Sequence, residues 1–192
     1  TIKITSSRLI LREYTEADFQ GVHMYAKDPE TVRFMTWGPN SHQETRDFIE
    51  LAISQQSIEP RRNYHFAVTL KENNHLVGGC GIHCHRMLHK SAEIGYCFNK
   101  QFWMQGYATE TTGALLKFGF ESMQMHRIIA RCHPDNVGSE RVMQKNGLRK
   151  EAHFVQELWQ REQWRDSLLY AILDSEWFEN QINHPTNTSF PK

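Results

Sequence analysis

The sequence predicts an α+β fold of three layers, an α/β arrangement in which a mixed, mostly antiparallel central sheet is flanked by helices. Three observations predict it. Apolar residues recur near the 3.6-residue period from Ala108 through Leu115, Leu116, Gly119 and Phe120 to Met123, with Thr112 the one polar residue on that face. A strand-like run at residues 64–70 is bounded by Arg61-Arg62-Asn63 and by Glu72-Asn73-Asn74, a turn cluster that announces a hairpin. Taken in order, the segments read strand, two helices, three strands, helix, strand, helix, two strands, which makes a sheet with helices on its faces.

Each element has a local reason. Residues 8–13 (RLILRE) open as a strand. Thr15-Glu16-Ala17-Asp18 supplies an N-cap and an acidic first turn for a helix that ends near Asp28-Pro29. Trp37-Gly38-Pro39 marks a turn, and Ser41-His42-Gln43-Glu44 is a capping box that opens a second helix through about residue 57. Residues 75–85 pair with 64–70, and 93–98 form a third strand. Helix returns over 106–123, a short apolar strand follows at 127–132, and a helix over 136–146 ends at Gly147. Strands at 148–158 and 164–173 complete a single domain over residues 1–175, with 176–192 a polar tail.

Length and composition bound the function. A chain of 192 residues, 39% hydrophobic and 23% charged, suits one globular domain. Lysine plus arginine balances aspartate plus glutamate at 22 each, so nothing suggests a nucleic-acid partner. No apolar run reaches the length of a membrane span and no leader pattern opens the sequence, so no membrane partner is expected. Cys80, Cys84, Cys97 and Cys132 fall in strand-like stretches without the density of a disulfide scaffold, and a reduced, cytoplasmic setting is the expectation. The sequon Asn187-Thr188-Ser189 is then a chance occurrence.

The chemistry is concentrated in residues 93–110 (EIGYCFNKQFWMQGYATE). A strand runs through a polar break into Gly106-Tyr107-Ala108 at the mouth of a long helix. Small residues there admit a ligand close to the backbone. The unpaired N–H groups and the dipole of the first turn suit a pyrophosphate. Taken alone, the same residues fit a plain strand-to-helix turn. No P-loop and no G-x-G-x-x-G fingerprint accompanies them. About 30 residues further on come Asn136-Val137-Gly138-Ser139 and Lys145-Asn146-Gly147-Leu148.

Together with Arg8-Leu9-Ile10-Leu11-Arg12, Glu93-Ile94-Gly95-Tyr96 and Gly106-Tyr107-Ala108-Thr109-Glu110, these pieces resemble the GNAT N-acetyltransferases. The branch most alike is the RimJ/RimL type, which includes N-terminal acetyltransferases of ribosomal proteins. The resemblance covers roughly residues 6–175. It implies the acyl-CoA N-acyltransferase fold and an acetyl-CoA-dependent transfer to a primary amine. It implies further that Trp103, Met104, Gln105, Gly106, Tyr107, Ala108 and Thr109 hold the pyrophosphate of coenzyme A. The pantetheine arm would lie against the strand ending at Cys97-Phe98, with Asn136 and Ser139 facing it. Trp103 stands where the family usually has Gln or Arg, as tryptophan does in many RimJ/RimL-type sequences, and Met104 replaces the glycine that follows it in those.

A free α-amine titrates at about 7.7–8.0 and a lysine side chain at about 10.4, so the acceptor needs a base. Glu93 is the candidate, set against a solvated glutamate that only orients substrate. The leaving thiolate needs a hydrogen-bond donor. Met143 stands where many relatives have tyrosine, so the choice falls on Ser139, which could instead cap its own helix. By analogy with relatives, Met35, Trp37 and Trp159 are candidates for the acceptor cleft, against ordinary packing. Cys80-Gly81-Ile82-His83-Cys84-His85 invites a metal reading, but His83 and His85 share one face of a strand and Cys84 the other, so core cysteine, exposed histidines and no metal are expected. The acceptor is a peptide or protein N-terminus, or else a small amine such as an antibiotic, polyamine or amino-acid derivative. A non-catalytic acyl-CoA sensor is the alternative from another class, and either a monomer or a homodimer fits.

Overall fold

The computed structural model describes residues 1–183. The predicted polar tail beyond residue 183, sequon included, lies outside the described residues. Eight strands form one sheet: β1 (Lys3–Thr5), β2 (Leu9–Glu13), β3 (Asn63–Leu70), β4 (Leu76–Arg86), β5 (Ser91–Phe98), β6 (Arg127–Cys132), β7 (Arg149–Gln160) and β8 (Gln163–Leu173). Their spatial order is β1-β2-β3-β4-β5-β6-β8-β7. Every neighbouring pair is antiparallel except β5 with β6. The helices are α1 (Phe19–Ala26), α2 (His42–Ser54), α3 (Tyr107–Lys117), α4 (Val137–Lys145) and α5 (Asp174–Asn183).

Alternation along the strands sorts side chains into two cores. Leu11, Phe66, Ile82, Ile94 and Ile128 pack on one face with Leu115, Leu116 and Met143 of α3 and α4. Each such fully buried side chain contributes about 2 kcal/mol. On the other face Tyr14, Ala67 and Cys97 meet Val22, Tyr25 and Ala52 of α1 and α2. Packing there is close enough that a Cβ on Gly79 would fall 2.1 Å from the Tyr14 hydroxyl. Thr112, the polar member of the predicted stripe, is fully buried on α3.

The predicted fold class and the order of its internal elements hold, and the ends differ. The first predicted helix begins as a 3-10 turn, Glu16–Asp18, and the third closes in a π-turn, Phe118–Ser122. Strand β1, too short to carry a period, leaves no signal in the sequence. Beyond residue 175 the chain is not yet a tail: α5 continues to Asn183, and buried Trp177 lies 5.5 Å from Phe120, centroid to centroid. With one aromatic facing in, α5 carries little apolar pattern, so its polarity masked it. Among the described residues no helix is long and apolar enough to cross a membrane.

Candidate active site

The two parallel strands part company at one end. Their register runs from Ser91↔Arg127 to Ile94↔Ala130 and stops, although β5 continues to Phe98 and β6 to Cys132. Past that level residues 95–98 are bonded to β4 alone, leaving a wedge beside a free strand edge. Because α3 follows β5 and α4 follows β6, both helices begin at the wedge's open end, where a parallel pair characteristically receives ligands.

In the loop into α3 the Trp103 amide donates to the Lys100 carbonyl at 3.2 Å, and the amides of residues 104–107 have no partner among the described residues. Gly106 is the N-cap with φ of 83°, a left-handed conformation at ease only for glycine, and no side chain caps the first turn. By contrast α2 is closed by the Ser41–Glu44 capping box, and α4 by Asn136, whose Oδ1 accepts the Ser139 amide at 3.1 Å. The loop is braced from outside itself. Glu110 accepts from Ser6 Oγ at 2.8 Å and from the Arg8 amide at 2.6 Å, while Arg8 Nε donates to its other oxygen at 2.8 Å. Burial alone would raise the Glu110 pKa, but these donors hold it below the ordinary carboxylate range. Arg8 also donates to the Gln105 carbonyl at 3.0 Å and covers the Tyr107 ring at 4.6 Å. Trp103 turns back, its indole N–H donating to the Phe98 carbonyl at 2.7 Å. Met104 is 95% exposed with φ of 61°, which explains physically why glycine suits that position. Ala108 and Thr109 follow in the first turn of α3.

Across the wedge stand the candidates for thiol chemistry. Ser139 Oγ lies 2.9 Å from the Tyr96 hydroxyl, with either group able to donate, so its side chain is turned to β5 and does not cap the helix amides. Burial pushes the Tyr96 phenol up to about 12. Met143 is fully buried and offers no hydroxyl. The Cys97 and Phe98 side chains are buried in the two cores, so these residues offer only main chain to a ligand. The four cysteines are free and buried; burial pushes Cys97 up to about 12 and Cys132 up to about 11.

Glu93 projects to the opposite face of the sheet, the side covered elsewhere by α1 and α2. Its carboxylate is 3.5 Å from His85 Nε2 and 3.9 Å from Arg131 Nε, and Arg131 is itself held by Glu157 at 3.1 Å. His83 pairs with Glu93 in the sheet register and its Nδ1 is 3.3 Å from Asn63 Oδ1; contrary to expectation it is half-buried, because Asn63 and His65 crowd it. The His65 ring lies 4.8 Å from that of His83, tilted by 56°, and burial, with the charges of His83 and Arg61 adding to it, lowers its pKa to about 4. Cys84 faces the other core, as the alternation requires.

A cavity of about 390 Å³ opens beyond the end of β6, lined by Phe34, His133, Asp135, Trp164, Arg165 and Asp166 among others. Its lining comes from the α1–α2 connection, the connection after β6 and the β7–β8 hairpin, and the first and last of these are tied together. The Arg161 guanidinium reaches the carbonyls of Arg33 (2.7 Å), Val32 (3.0 Å), Gly38 (3.1 Å) and Trp37 (3.3 Å), and Gln160 donates to the Met35 carbonyl. Arg161 and Glu162 form the two-residue turn with φ of 49° and 59°, a turn usually made by Asn-Gly. Met35 and Trp37 therefore enter through their carbonyls, and Trp159, 61% exposed, packs on Trp164 at 5.3 Å. None of these three lines the cavity. Tyr96, Arg161 and Arg165 are functional candidates that the sequence alone did not single out: Tyr96 lies inside a matched motif but carried no assigned role, and nothing local marks the two arginines.

Known proteins share this fold. The profile of the acetyltransferase (GNAT) domain matches residues 8–149. The uncharacterized N-acetyltransferase YnaD of Bacillus subtilis is 33% identical over 174 residues, 91% of this chain and 98% of that one. The crystal structure of a GNAT-family acetyltransferase from Bacillus anthracis, 35% identical, superposes with a TM-score of 0.81 over 91% of this chain and 99% of that one. RimL, a ribosomal alpha-N-protein acetyltransferase solved in complex with coenzyme A, shares the fold at a TM-score of 0.80 and 21% identity, covering 90% and 98%.

Proposed function

The chain belongs to the GNAT acetyltransferase family and is an N-acetyltransferase, and from that premise we propose that it transfers the acetyl group of acetyl-coenzyme A to the α-amine of a protein or peptide N-terminus, by direct attack in a ternary complex. The observation that carries the reading is the wedge between β5 and β6 with an uncapped helix mouth at its open end. A left-handed glycine and first-turn amides without side-chain partners suit a pyrophosphate, so the main-chain amides of residues 104–109 are the proposed grip on the coenzyme, with Trp103 beside them. Free main-chain edge at residues 95–98 suits the amide groups of a pantetheine arm.

In the proposed reaction the amine nitrogen attacks the thioester carbonyl carbon and the carbon–sulfur bond breaks. Glu93, directly or through water, takes the proton that the nitrogen sheds. The departing thiolate is met by the Ser139 hydroxyl. A serine is a weak acid, so its service is a hydrogen bond to sulfur; Tyr96, kept protonated by burial, can donate to Ser139 Oγ and leave the serine hydrogen free to point at the thiolate. Asn136, with its oxygen engaged by the Ser139 amide, positions that serine. The peptide acceptor rests on the RimJ/RimL resemblance and on the likeness to RimL, and the buried free thiols suit a cytoplasmic setting.

A thiol-release screen with acetyl-coenzyme A, N-terminal peptides and small amines tests the proposal. Turnover is expected with peptides, and Glu93→Gln and Ser139→Ala should each lower it while leaving coenzyme affinity within about threefold. Turnover confined to small amines would move the assignment to them. Unchanged rates in both variants would remove the roles given to Glu93 and Ser139.

A further inference from the structure

Arg165 is a charged side chain in the acceptor-side cavity with nothing to pair with. It is half-buried, its Nε–H is shut off from solvent without an acceptor, and no hydrogen bond or ion pair reaches its guanidinium among the described residues. A guanidinium carries a fixed positive charge, and its planar fork matches a carboxylate. Leaving one half-buried and unmatched is costly unless a ligand completes it.

The acids nearby do not complete it. Asp166, next to it in the strand and also lining the cavity, makes no ion pair or hydrogen bond with it among the described residues. The Asp166 carboxylate is also fully engaged: the Gln156 amide donates to Oδ1 at 2.9 Å and His153 Nε2 lies 2.6 Å from Oδ2, and these contacts hold it below the ordinary carboxylate range. Asp135 is 81% exposed and sits 3.8 Å from His133. Glu157 is held by Arg131. Arg33, over the Phe34 ring at 4.4 Å, adds positive charge beside the wall that Phe34 forms.

We infer that Arg165 is a specificity-determining residue that receives a carboxylate of the acceptor. The amine substrate would then bear an anionic group close to the reacting nitrogen, and a polyamine would be disfavoured. The inference rests on the transferase reading above and narrows it. Two sources share this chemistry: an acidic side chain near a peptide N-terminus, and the α-carboxylate of a free amino acid.

The test measures kcat/KM by thiol release for matched acceptors. One arm uses amidated pentapeptides that differ only in Asp against Asn at the second and third positions. The other uses amino acids against their amides. Wild-type protein is expected to favour the carboxylate member of at least one pair by tenfold or more, chiefly through KM. In Arg165→Gln that ratio should fall to near one, and Arg165→Lys should keep part of it. Acetyl-coenzyme A affinity, measured by calorimetry, should be the same in all three proteins and certifies their folding. Equal use of both members of each pair by wild-type protein, or an equal ratio in wild type and Arg165→Gln, overturns the inference while the transferase reading stands. Failure of every amine to release thiol overturns both.

Discussion

The proposed coenzyme side of the wedge and its proposed acceptor side are built by different rules. On the coenzyme side the shape comes from short-range geometry: a left-handed glycine, a helix start, and an asparagine capping a serine three residues on. On the acceptor side the decisive contacts join Arg161 to carbonyls 123 to 129 residues away in sequence. The first construction constrains residue types at fixed spacing, so it can be recognised. The second asks only that one long cation reach a loop of main-chain oxygens, and almost any loop sequence supplies those. One wall is thus constrained to residue types at fixed spacing, while the other is left free to vary.

The comparison can be pressed experimentally. The largest effect expected is acid instability of the acceptor-side face. His65 is held neutral in the fold, with its pKa lowered to about 4, whereas an unfolded histidine takes up a proton below about 6.5. The unfolded state therefore binds more protons in that window, and stability is lost as pH falls from about 6.5 toward 4, by on the order of 3 kcal/mol. Urea unfolding at pH 7 and pH 4 measures the loss, and His65→Gln should flatten it. On the coenzyme side, Gly106→Val forces a branched side chain into left-handed backbone and crowds the helix mouth; a cost of about 2 kcal/mol corresponds to roughly thirtyfold weaker acetyl-coenzyme A binding. Calorimetry showing unaltered affinity would break the proposed grip.

Smaller effects separate the two sides. Arg161→Met should raise the acceptor KM about tenfold, or about 1.4 kcal/mol, with coenzyme affinity unmoved. An equal loss of coenzyme affinity would mean that the two walls are not independent. Smallest, Ser41→Ala removes a genuine cap and should cost about 1 kcal/mol of stability with neither affinity altered. It is the reference for what a helix start does when the protein, and not a ligand, is meant to fill it.

These differences account for what the sequence made legible. The capping box at Ser41–Glu44, the hairpin of β3 and β4, the helical stripe over α3 and the glycine at the helix mouth are all local signals, and each was found where expected. Tyr96 stood inside a recognised motif, yet its partnership with Ser139 depends on how far two parallel strands diverge, which spacing does not encode. Glu93 was singled out by position, but its neighbours His85 and Arg131 come from flanking strands and emerge only from the register. Arg165 is one arginine among many until the absence of a partner is seen.

The burial of all four thiols has a practical corollary. Only the ionised sulfur attacks a disulfide, and at pH 8 Cys132, titrating near 11, is ionised in roughly one molecule per thousand; burial raises Cys80 and Cys97 further, and Cys84 is shielded by its 4% exposure. A chromogenic disulfide reagent mixed with the folded enzyme should therefore draw almost no colour from it. Whatever signal develops reports the liberated coenzyme, and a burst equal to four sulfurs per chain would instead mark a preparation that has come apart.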